Sequence, residues 1–200
     1  MKFFFIPAKY NANFSLEKLK SLGSKKFGLI TTIQFVDLIP KIKKILNIVT
    51  SKAPGLNEAQ ILGCNPLAGV QIESKVDAFL YIGSGKFHVY GLALKTKKPI
   101  FIFNPLTNQL SEFDRKELDK LEKRKKAQEI KFLSAEKLGV LVSIKPGQCN
   151  LRKALEIKKK KYVFLFDNLD SNQFENFPEI DCWVNTACPG LFYDFNVYNY

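Results

Sequence analysis

The chain has 200 residues, of which 46% are hydrophobic and 25% charged, and this balance excludes an intrinsically disordered polypeptide. Lysine and arginine outnumber aspartate and glutamate by 31 to 19, so the net charge of +12 makes a phosphate-rich partner one hypothesis to weigh. A single histidine, His88, argues against a histidine-centred triad or a multi-histidine metal site, and four cysteines are too few for a disulfide scaffold.

The first apolar run, residues 3–8, is closed by Pro7 and Lys9 and is shorter than the roughly 7–15 apolar residues of a secretory signal core. No run reaches the roughly 18 uninterrupted apolar residues of a membrane helix. We therefore expect a cytoplasmic protein with reduced cysteines and no membrane partner.

Short apolar runs without polar alternation follow one another along the chain, and they predict strands that are covered on both faces. They lie at residues 3–8, 27–32, 78–82, 100–104, 139–144, 162–167 and 182–187. Amphipathic segments between them predict helices at residues 35–46, with Pro40 as a possible kink, and at residues 150–159 and 171–177. Alternating strands and helices predict an α/β fold with a mainly parallel sheet, whose ligands lie beyond the carboxyl ends of the strands.

The segment 112–131 is highly charged, since residues 115–131 carry eight basic and four acidic side chains without Gly or Pro. We interpret it as a solvated helix that connects two α/β halves; the alternative is a basic surface for RNA or for an acidic partner. The four lysines Lys158–Lys161 have the same two interpretations, with a solvated helix end favoured.

Two glycine turns follow predicted strands, where backbone amides can approach a ligand closely. The first, Gly83, Ser84 and Gly85, is neither a Walker loop nor a dinucleotide fingerprint, because Leu80, Phe87 and His88 occupy positions that those motifs assign to other residues. The second is residues 146–148 (PGQ). A plain tight turn is the alternative for both.

The cysteines at positions 64, 149, 182 and 188 contain no C-x-x-C pair, so spacing alone makes a metal site improbable and buried structural thiols the simpler interpretation. One layout occurs twice. Residues 60–64 and 183–188 each predict a strand that ends in a cysteine, and a proline follows closely in both cases.

Several segments, taken together and in order, resemble the diphthamide-synthesis radical enzyme family in its archaeal form. They are residues 28–34 (GLITTIQ), 60–65 (QILGCN), 76–88 (VDAFLYIGSGKFH), 142–148 (VSIKPGQ) and 183–189 (WVNTACP), and the resemblance extends over residues 1–194.

The resemblance implies a chain built from the second and third of three similar α/β domains, that is, two consecutive small three-layer domains with mainly parallel sheets. It implies residues 1–23 as an N-terminal strand and connection, 24–111 as a middle-type domain, 112–135 as the charged connecting helix, and 136–200 as a C-terminal-type domain.

The resemblance also implies the chemistry. Each family domain offers one cysteine to a shared [4Fe-4S] cluster, which cleaves S-adenosylmethionine so that a 3-amino-3-carboxypropyl radical is transferred to a histidine of translation elongation factor 2. An electron donor is a further implied partner, and no direct contact with nucleic acid is expected.

Carried over by position, Cys64 and Cys188 are implied cluster ligands. Gly83, Ser84, Gly85, His88 and Gln148 are implied to surround S-adenosylmethionine, and the resemblance assigns no catalytic residue. The sequence differs from the family pattern in two ways. The family's N-terminal domain and its cysteine have no counterpart before Cys64, and Gly190 stands where the family usually has arginine.

Four hypotheses follow from two ligands in place of three. The first is that a separately encoded N-terminal domain supplies the third thiolate. The second is that Cys149 substitutes for it, against the favoured interpretation of a partly buried ordinary thiol. The third is a non-catalytic interaction or electron-donor-docking subunit, and the fourth, suggested by the charge alone, is a nucleic-acid-binding module. We also expect the chain to associate with the missing domain or with a second copy of itself. We interpret Cys182 as a core residue.

Overall fold

The computed structural model describes residues 6–11 and 14–200, which divide into two compact units, one extending to Leu118 and the other from Asp119 to Tyr200. Of the predicted strand 3–8, residues 3–5 lie outside the described part, and residues 6–8 have no regular secondary structure. In the described residues, no helix is both long enough and apolar enough to cross a lipid bilayer.

The first unit contains a mixed sheet with the strand order β2-β1-β3-β4-β5. The strands are β1 (Phe27–Thr31), β2 (Ile48–Val49), β3 (Ala78–Ile82), β4 (Ile100–Asn104) and β5 (Gln109–Glu112), and β5 alone among them runs antiparallel to its neighbour. The helices are α1 (Ile39–Lys43), α2 (Leu67–Val70) and α3 (Phe87–Ala93), with 3-10 helices at Glu17–Leu22, Ile33–Leu38 and Glu73–Lys75.

Both faces of this first sheet are covered, as the unbroken apolar runs predict. Every residue of β1 and β3 is buried. One face packs against side chains of α2 and α3, and the other against Leu19 and the segment that contains α1. The result is a three-layer α/β unit, which confirms the predicted fold class.

The second unit contains a parallel sheet with the order β7-β6-β8-β9. Its strands are β6 (Leu138–Ser143), β7 (Lys161–Phe166), β8 (Cys182–Asn185) and β9 (Tyr198–Asn199). Its helices are α5 (Leu151–Glu156), α6 (Leu191–Asp194) and the 3-10 helix Ser171–Asn176; α4 (Lys116–Ser134) begins in the first unit and ends in the second. Separate apolar clusters cover the two faces of this sheet.

Three sequence expectations are wrong in detail. The predicted helix 35–46 is a 3-10 helix followed by α1, and Pro40 lies in the first turn of α1, where its missing N–H costs no helical hydrogen bond. The predicted strand 60–64 is instead a bridge between Gln60 and Thr31 followed by a turn that a second bridge, between Leu62 and Asn65, closes. Finally, β7 is not covered on both faces, because it is an edge strand and Leu165 is 65% exposed.

The connecting helix α4 is also less solvated than its charge predicts. Leu118 at its start belongs to the core of the first unit, and Phe132 near its end packs against the core of the second. Between them, Gln128 is buried and Arg124 is half-buried. Charge counting missed this because long polar side chains can bury their stems and donate to carbonyl groups.

Candidate functional site

The loop that carries Cys64, residues 60–65, begins beside the carboxyl end of β1. The Thr31 amide donates to the Ala59 carbonyl at 2.8 Å, and the Ile61 amide donates to the Thr31 carbonyl at 2.9 Å. Leu62 and Asn65 then exchange two backbone hydrogen bonds of 3.0 Å each, which closes a tight turn. Cys64 lies in this turn and is exposed, so it is accessible from solvent.

Two glycines let this Cys64 loop lie directly on helix α3. A Cβ atom at Gly63 would collide with the Phe87 ring, and one at Gly91 would collide with the carbonyl oxygen of Gly63. Phe87 and Gly91 are four residues apart and therefore share one face of α3. Because His88 follows Phe87, the structure brings Cys64 and His88 to the same end of the first unit.

The glycine turn, residues 83–85, leads from β3 into α3 and so lies at this end as well. The Gly83 amide still donates to the Phe103 carbonyl of β4 at 3.1 Å, whereas Ser84 and Gly85 are exposed. Gly85 has a φ of +71°, in the left-handed region that favours glycine. The Thr31 hydroxyl donates to the Ile82 carbonyl at 2.8 Å, which ties the carboxyl ends of β1 and β3 together.

His88 is partly buried, and burial lowers the pKa of its imidazole. Its ring lies edge-on to the Phe87 ring, with 5.0 Å between the ring centroids. A lowered pKa keeps the imidazole neutral near pH 7, with one nitrogen as a donor and the other as an acceptor. On the same helix, the Tyr90 hydroxyl donates to a Glu117 carboxylate oxygen at 2.7 Å.

In the second unit, Cys188 lies on a loop beyond the carboxyl end of β8. The Asn185 side chain holds this loop from both of its polar atoms: Nδ2 donates to the Cys188 carbonyl at 2.9 Å, and Oδ1 accepts from the Ala187 amide at 2.9 Å. The Gly190 amide approaches the Cys188 sulfur at 3.4 Å, in hydrogen-bonding geometry. Amide donors of this kind stabilise a thiolate and tune the potential of an iron–sulfur centre.

The second glycine turn is held near the Cys188 loop. Gln148 closes it through a backbone hydrogen bond to Lys145 at 3.1 Å, and the Asn150 side chain donates to the Thr186 carbonyl at 2.8 Å. Thr186 lies two residues before Cys188, so the loops after β6 and β8 are joined at one end of the second sheet. Gln148 and Cys188 are therefore placed at the same end of this unit.

The other two cysteines differ in exposure. Cys182 is fully buried in β8, and burial raises the pKa of its thiol, which confirms the core interpretation. Cys149 is exposed, so its expected partial burial is wrong. Cys149 follows the end of β6 in a turn. The expectation rested on the general tendency of cysteine to be buried, which says nothing about an individual turn. Among residues 6–11 and 14–200, no three or more His, Cys, Asp or Glu side chains form a group that could hold a metal ion.

Sequence reasoning missed several polar groups at these strand ends. Asn185 lies inside the segment 183–189 that carries the resemblance, yet its role in holding the Cys188 loop depends on contacts that no spacing reports. Tyr81, two residues before Gly83, is also polar and buried. A separate cavity of about 310 Å³ in the second unit is lined mainly by apolar residues, among them Phe164, Phe174 and Trp183.

Two α/β units with accessible thiols at the carboxyl ends of parallel strands, Cys64 in the first and Cys149 and Cys188 in the second, define a class of thiol-bearing α/β protein. Thiolates are ligands that soft metals and iron–sulfur clusters take. The chain belongs to the family described as "Putative diphthamide synthesis protein", which matches residues 1–200. This confirms the resemblance drawn from the motifs.

Curated relatives agree with the family. The chain is 34% identical to the 2-(3-amino-3-carboxypropyl)histidine synthase of Methanocaldococcus jannaschii over 188 residues, which cover 90% of this chain and 49% of that protein. It is 32% identical to the synthase of the same name from Pyrococcus horikoshii, over 88% of this chain and 53% of the relative. The chain is 25% identical to the human protein named subunit 1 of this synthase. The match covers 84% of this chain and 40% of the human protein.

A solved structure supports the fold. The chain is similar to Dph2 from Pyrococcus horikoshii, crystallised with a 4Fe-4S cluster, with a TM-score of 0.71 and 28% identity over 92% of this chain and 57% of that one. The chain thus spans about half the length of the curated relatives that it matches.

Proposed function

We propose that this chain forms part of the enzyme that transfers a 3-amino-3-carboxypropyl group from S-adenosylmethionine to a histidine of translation elongation factor 2, the first step of diphthamide formation. The observation that carries the proposal is a pair of accessible cysteines, Cys64 and Cys188, each on a loop at the carboxyl ends of parallel strands, in a chain of this family. The relatives named as synthases support the same reaction.

The two cysteines suit an iron–sulfur cluster by their chemistry. Thiolates are the ligands that hold such clusters, and the Gly190 amide stabilises negative charge on the Cys188 sulfur. When bound, a [4Fe-4S] cluster supplies an electron for reductive cleavage of S-adenosylmethionine. The remaining thiolate comes from a polypeptide segment equivalent to the part of the relatives that these residues do not match, either in a separate chain or in another part of the same protein.

The chain's own residues bind and orient the sulfonium substrate. Ser84 and Gly85 are exposed at the glycine turn, and their backbone amides would donate to a carboxylate or to ribose oxygens. His88, kept neutral by burial, adds no positive charge beside the sulfonium. Gln148 provides an amide at the corresponding end of the second unit. We assign no proton transfer to any of them.

The partners follow from the reaction. They are elongation factor 2, an electron donor, and the polypeptide that contributes the third thiolate, and we place the reaction in the cytoplasm. Neither a membrane nor a nucleic acid is required.

Anaerobic cluster reconstitution tests the proposal. The chain is reconstituted with and without the polypeptide that contributes the third thiolate, called the complementing polypeptide below. It is tested as wild type, as Cys64→Ser, as Cys188→Ser and as the matched control Cys149→Ser. Iron, sulfide and S-adenosylmethionine cleavage are then measured. We expect the first two variants to lose cluster affinity by more than the roughly 10- to 100-fold that removal of a hydrogen-bond partner of a metal ligand typically costs, because they remove the ligand itself. The control is expected to match wild type.

Two results would overturn the assignment of Cys64 and Cys188 as cluster ligands, and two further results bear on the other parts of the proposal. Full iron content in Cys64→Ser and Cys188→Ser would exclude these residues as ligands, and loss of iron in Cys149→Ser alone would transfer the role to Cys149. Unchanged iron and cleavage without the complementing polypeptide would exclude a third ligand from outside the chain. Normal assembly with that polypeptide but no cluster would favour a non-catalytic subunit.

A further inference from the structure

Tyr81 places a polar atom in the interior of the first unit. Its side chain is completely buried, on the face of the first sheet that packs against α2 and α3. The hydroxyl oxygen is buried too, and in residues 6–11 and 14–200 it has no hydrogen-bond partner. Buried polar groups are normally paired, so an unpaired one calls for a physical reason.

The hydroxyl lies directly against the glycine turn. Tyr81 and Gly83 are two residues apart and point to the same side of the strand. A Cβ atom at Gly83 would collide with the Tyr81 hydroxyl oxygen and with the ring carbon that bears it. The hydroxyl therefore fills the space that a side chain at position 83 would occupy, next to the exposed Ser84 and Gly85.

Keeping this hydroxyl is costly in the ligand-free protein. Phenylalanine would fill nearly the same volume and would not lose the hydration of an O–H group. Burial raises the pKa of Tyr81, so the hydroxyl stays protonated and remains available as a donor. A donor that has no acceptor among the described residues, placed next to an exposed turn, is suited to an acceptor that arrives from outside.

We propose that the Tyr81 hydroxyl is a binding group of the glycine turn and donates a hydrogen bond to an oxygen acceptor of bound S-adenosylmethionine. This inference rests on the proposed function, which places that molecule at the turn. With no side chain at positions 83 and 85, and with Gly85 in the left-handed region, a small shift of the turn opens a path to the hydroxyl. The interaction forms no covalent bond.

The test compares Tyr81→Phe with the matched control Tyr90→Phe in the cluster-loaded protein with its complementing polypeptide. Tyr90 also belongs to the first unit, but its hydroxyl is already paired with Glu117. Two quantities are measured: the thermal unfolding midpoint without ligand, and the dissociation constants of S-adenosylmethionine and S-adenosylhomocysteine by equilibrium dialysis.

We expect Tyr81→Phe to keep or raise the unfolding midpoint and to weaken binding of both molecules about tenfold, the effect of one lost hydrogen bond. Tyr90→Phe is expected to lower the midpoint and to leave binding unchanged within about twofold. If the Tyr81 hydroxyl only stabilised the fold, its removal would lower the unfolding midpoint, and it would not weaken binding while the midpoint stayed the same or rose.

The other outcomes separate the two proposals. Wild-type affinity in Tyr81→Phe would overturn this inference and leave the proposed function standing. A midpoint lowered as much as in Tyr90→Phe would show that the Tyr81 hydroxyl has a partner in the folded protein, which also overturns it. If the loaded wild type binds no S-adenosylmethionine, the proposed function fails and this inference fails with it.

Discussion

Asn185 shows how a single amide can position a ligand loop. Its Nδ2 donates to the Cys188 carbonyl and, at 2.7 Å, to the Asn199 side chain, while its Oδ1 accepts from the Ala187 amide. The side chain is 2% exposed, so these bonds do not compete with water. Cys188 is consequently held by the second sheet itself, although it lies on a loop.

His88 gives the chain a measurable pH response at the residue scale. Its pKa in the folded protein lies below the value of about 6.5 that it has when unfolded. Between these two values the unfolded chain binds more protons, so the free energy of unfolding falls as the pH falls through about 6.5. The chain has no other histidine, which isolates the effect.

We therefore predict that wild-type unfolding free energy, measured with urea, decreases between about pH 7.5 and about pH 5.5. His88→Gln should show a flatter profile over the same interval, because glutamine does not titrate. Parallel profiles for the two proteins would contradict a lowered pKa at His88.

At the scale of elements, α4 is held to the C-terminal segment of the second unit. Arg124 donates to the Phe195 carbonyl at 2.6 Å and to the Tyr193 carbonyl at 3.4 Å, and its guanidinium carbon lies 4.8 Å from the centroid of the Phe192 ring. One turn later, Gln128 donates to the Asn196 side chain. These contacts make α4 part of the second unit's structure as well as a connection.

Replacing Arg124 with Met should lower the free energy of unfolding of the second unit by about 2 kcal/mol, because two carbonyl acceptors and a cation–π contact lose their partner. Trp183, the single tryptophan of the chain, lies in the second unit and reports its unfolding by fluorescence.

The control for this prediction is Lys125→Met, one position further along α4, where the side chain is exposed. It should change the free energy of unfolding by less than about 0.5 kcal/mol. Equal effects of the two substitutions would mean that overall charge, and not the contacts of Arg124, stabilises this helix.

The lysine cluster Lys158–Lys161, whose last member begins β7, caps the carboxyl ends of two helices in the second unit. The Lys159 ammonium donates to the carbonyls of Phe132, Leu133 and Ala135, where α4 ends, and Lys161 donates to the carbonyls of Leu155 and Ile157, where α5 ends. Helix ends leave carbonyl groups unpaired, and cations there also interact favourably with the helix dipole. Two of the four lysines are therefore structural, which weakens the case for a nucleic-acid surface at this position.

At the scale of the whole molecule, the second unit leaves apolar side chains exposed on one face. The register pairs Val140 with Val163 and Val142 with Leu165, so the β7 residues lie on the side of the sheet that carries α5. Val163 and Leu165 are exposed there, as is Leu155 of α5. An exposed apolar face on an edge strand is typical of an interaction surface.

We predict that wild-type chain at micromolar concentration associates, either with itself or with the complementing polypeptide, in sedimentation velocity experiments. The double variant Leu155→Lys with Leu165→Lys should weaken this association at least about tenfold, because it places two charges in an apolar interface. Leu106→Lys, at an exposed apolar position of the first unit, is the control and should behave as wild type. A wild-type monomer that also fails to bind the complementing polypeptide would contradict this prediction.

Much of the fold could be predicted because local pattern encodes it. The unbroken apolar runs of β1, β3, β4 and β6 specify buried parallel strands, and the glycines after β3 mark a turn at a strand end. The short strands β2 and β9 could not be predicted, because two residues carry no periodicity and pair only where a neighbouring strand offers an edge.

The sequence by itself determined the α/β class, the accessible glycine turn and, through its motifs, the family with Cys64 and Cys188 as candidate ligands. Only the tertiary structure decided that Gly63 and Gly91 let the Cys64 loop lie on α3, that Asn185 holds Cys188, and that the Tyr81 hydroxyl is buried with no partner in the part of the chain that the structure describes. The physical reason is that periodicity reports how much of a side chain is buried, whereas which atoms meet it depends on segments that are distant in the chain.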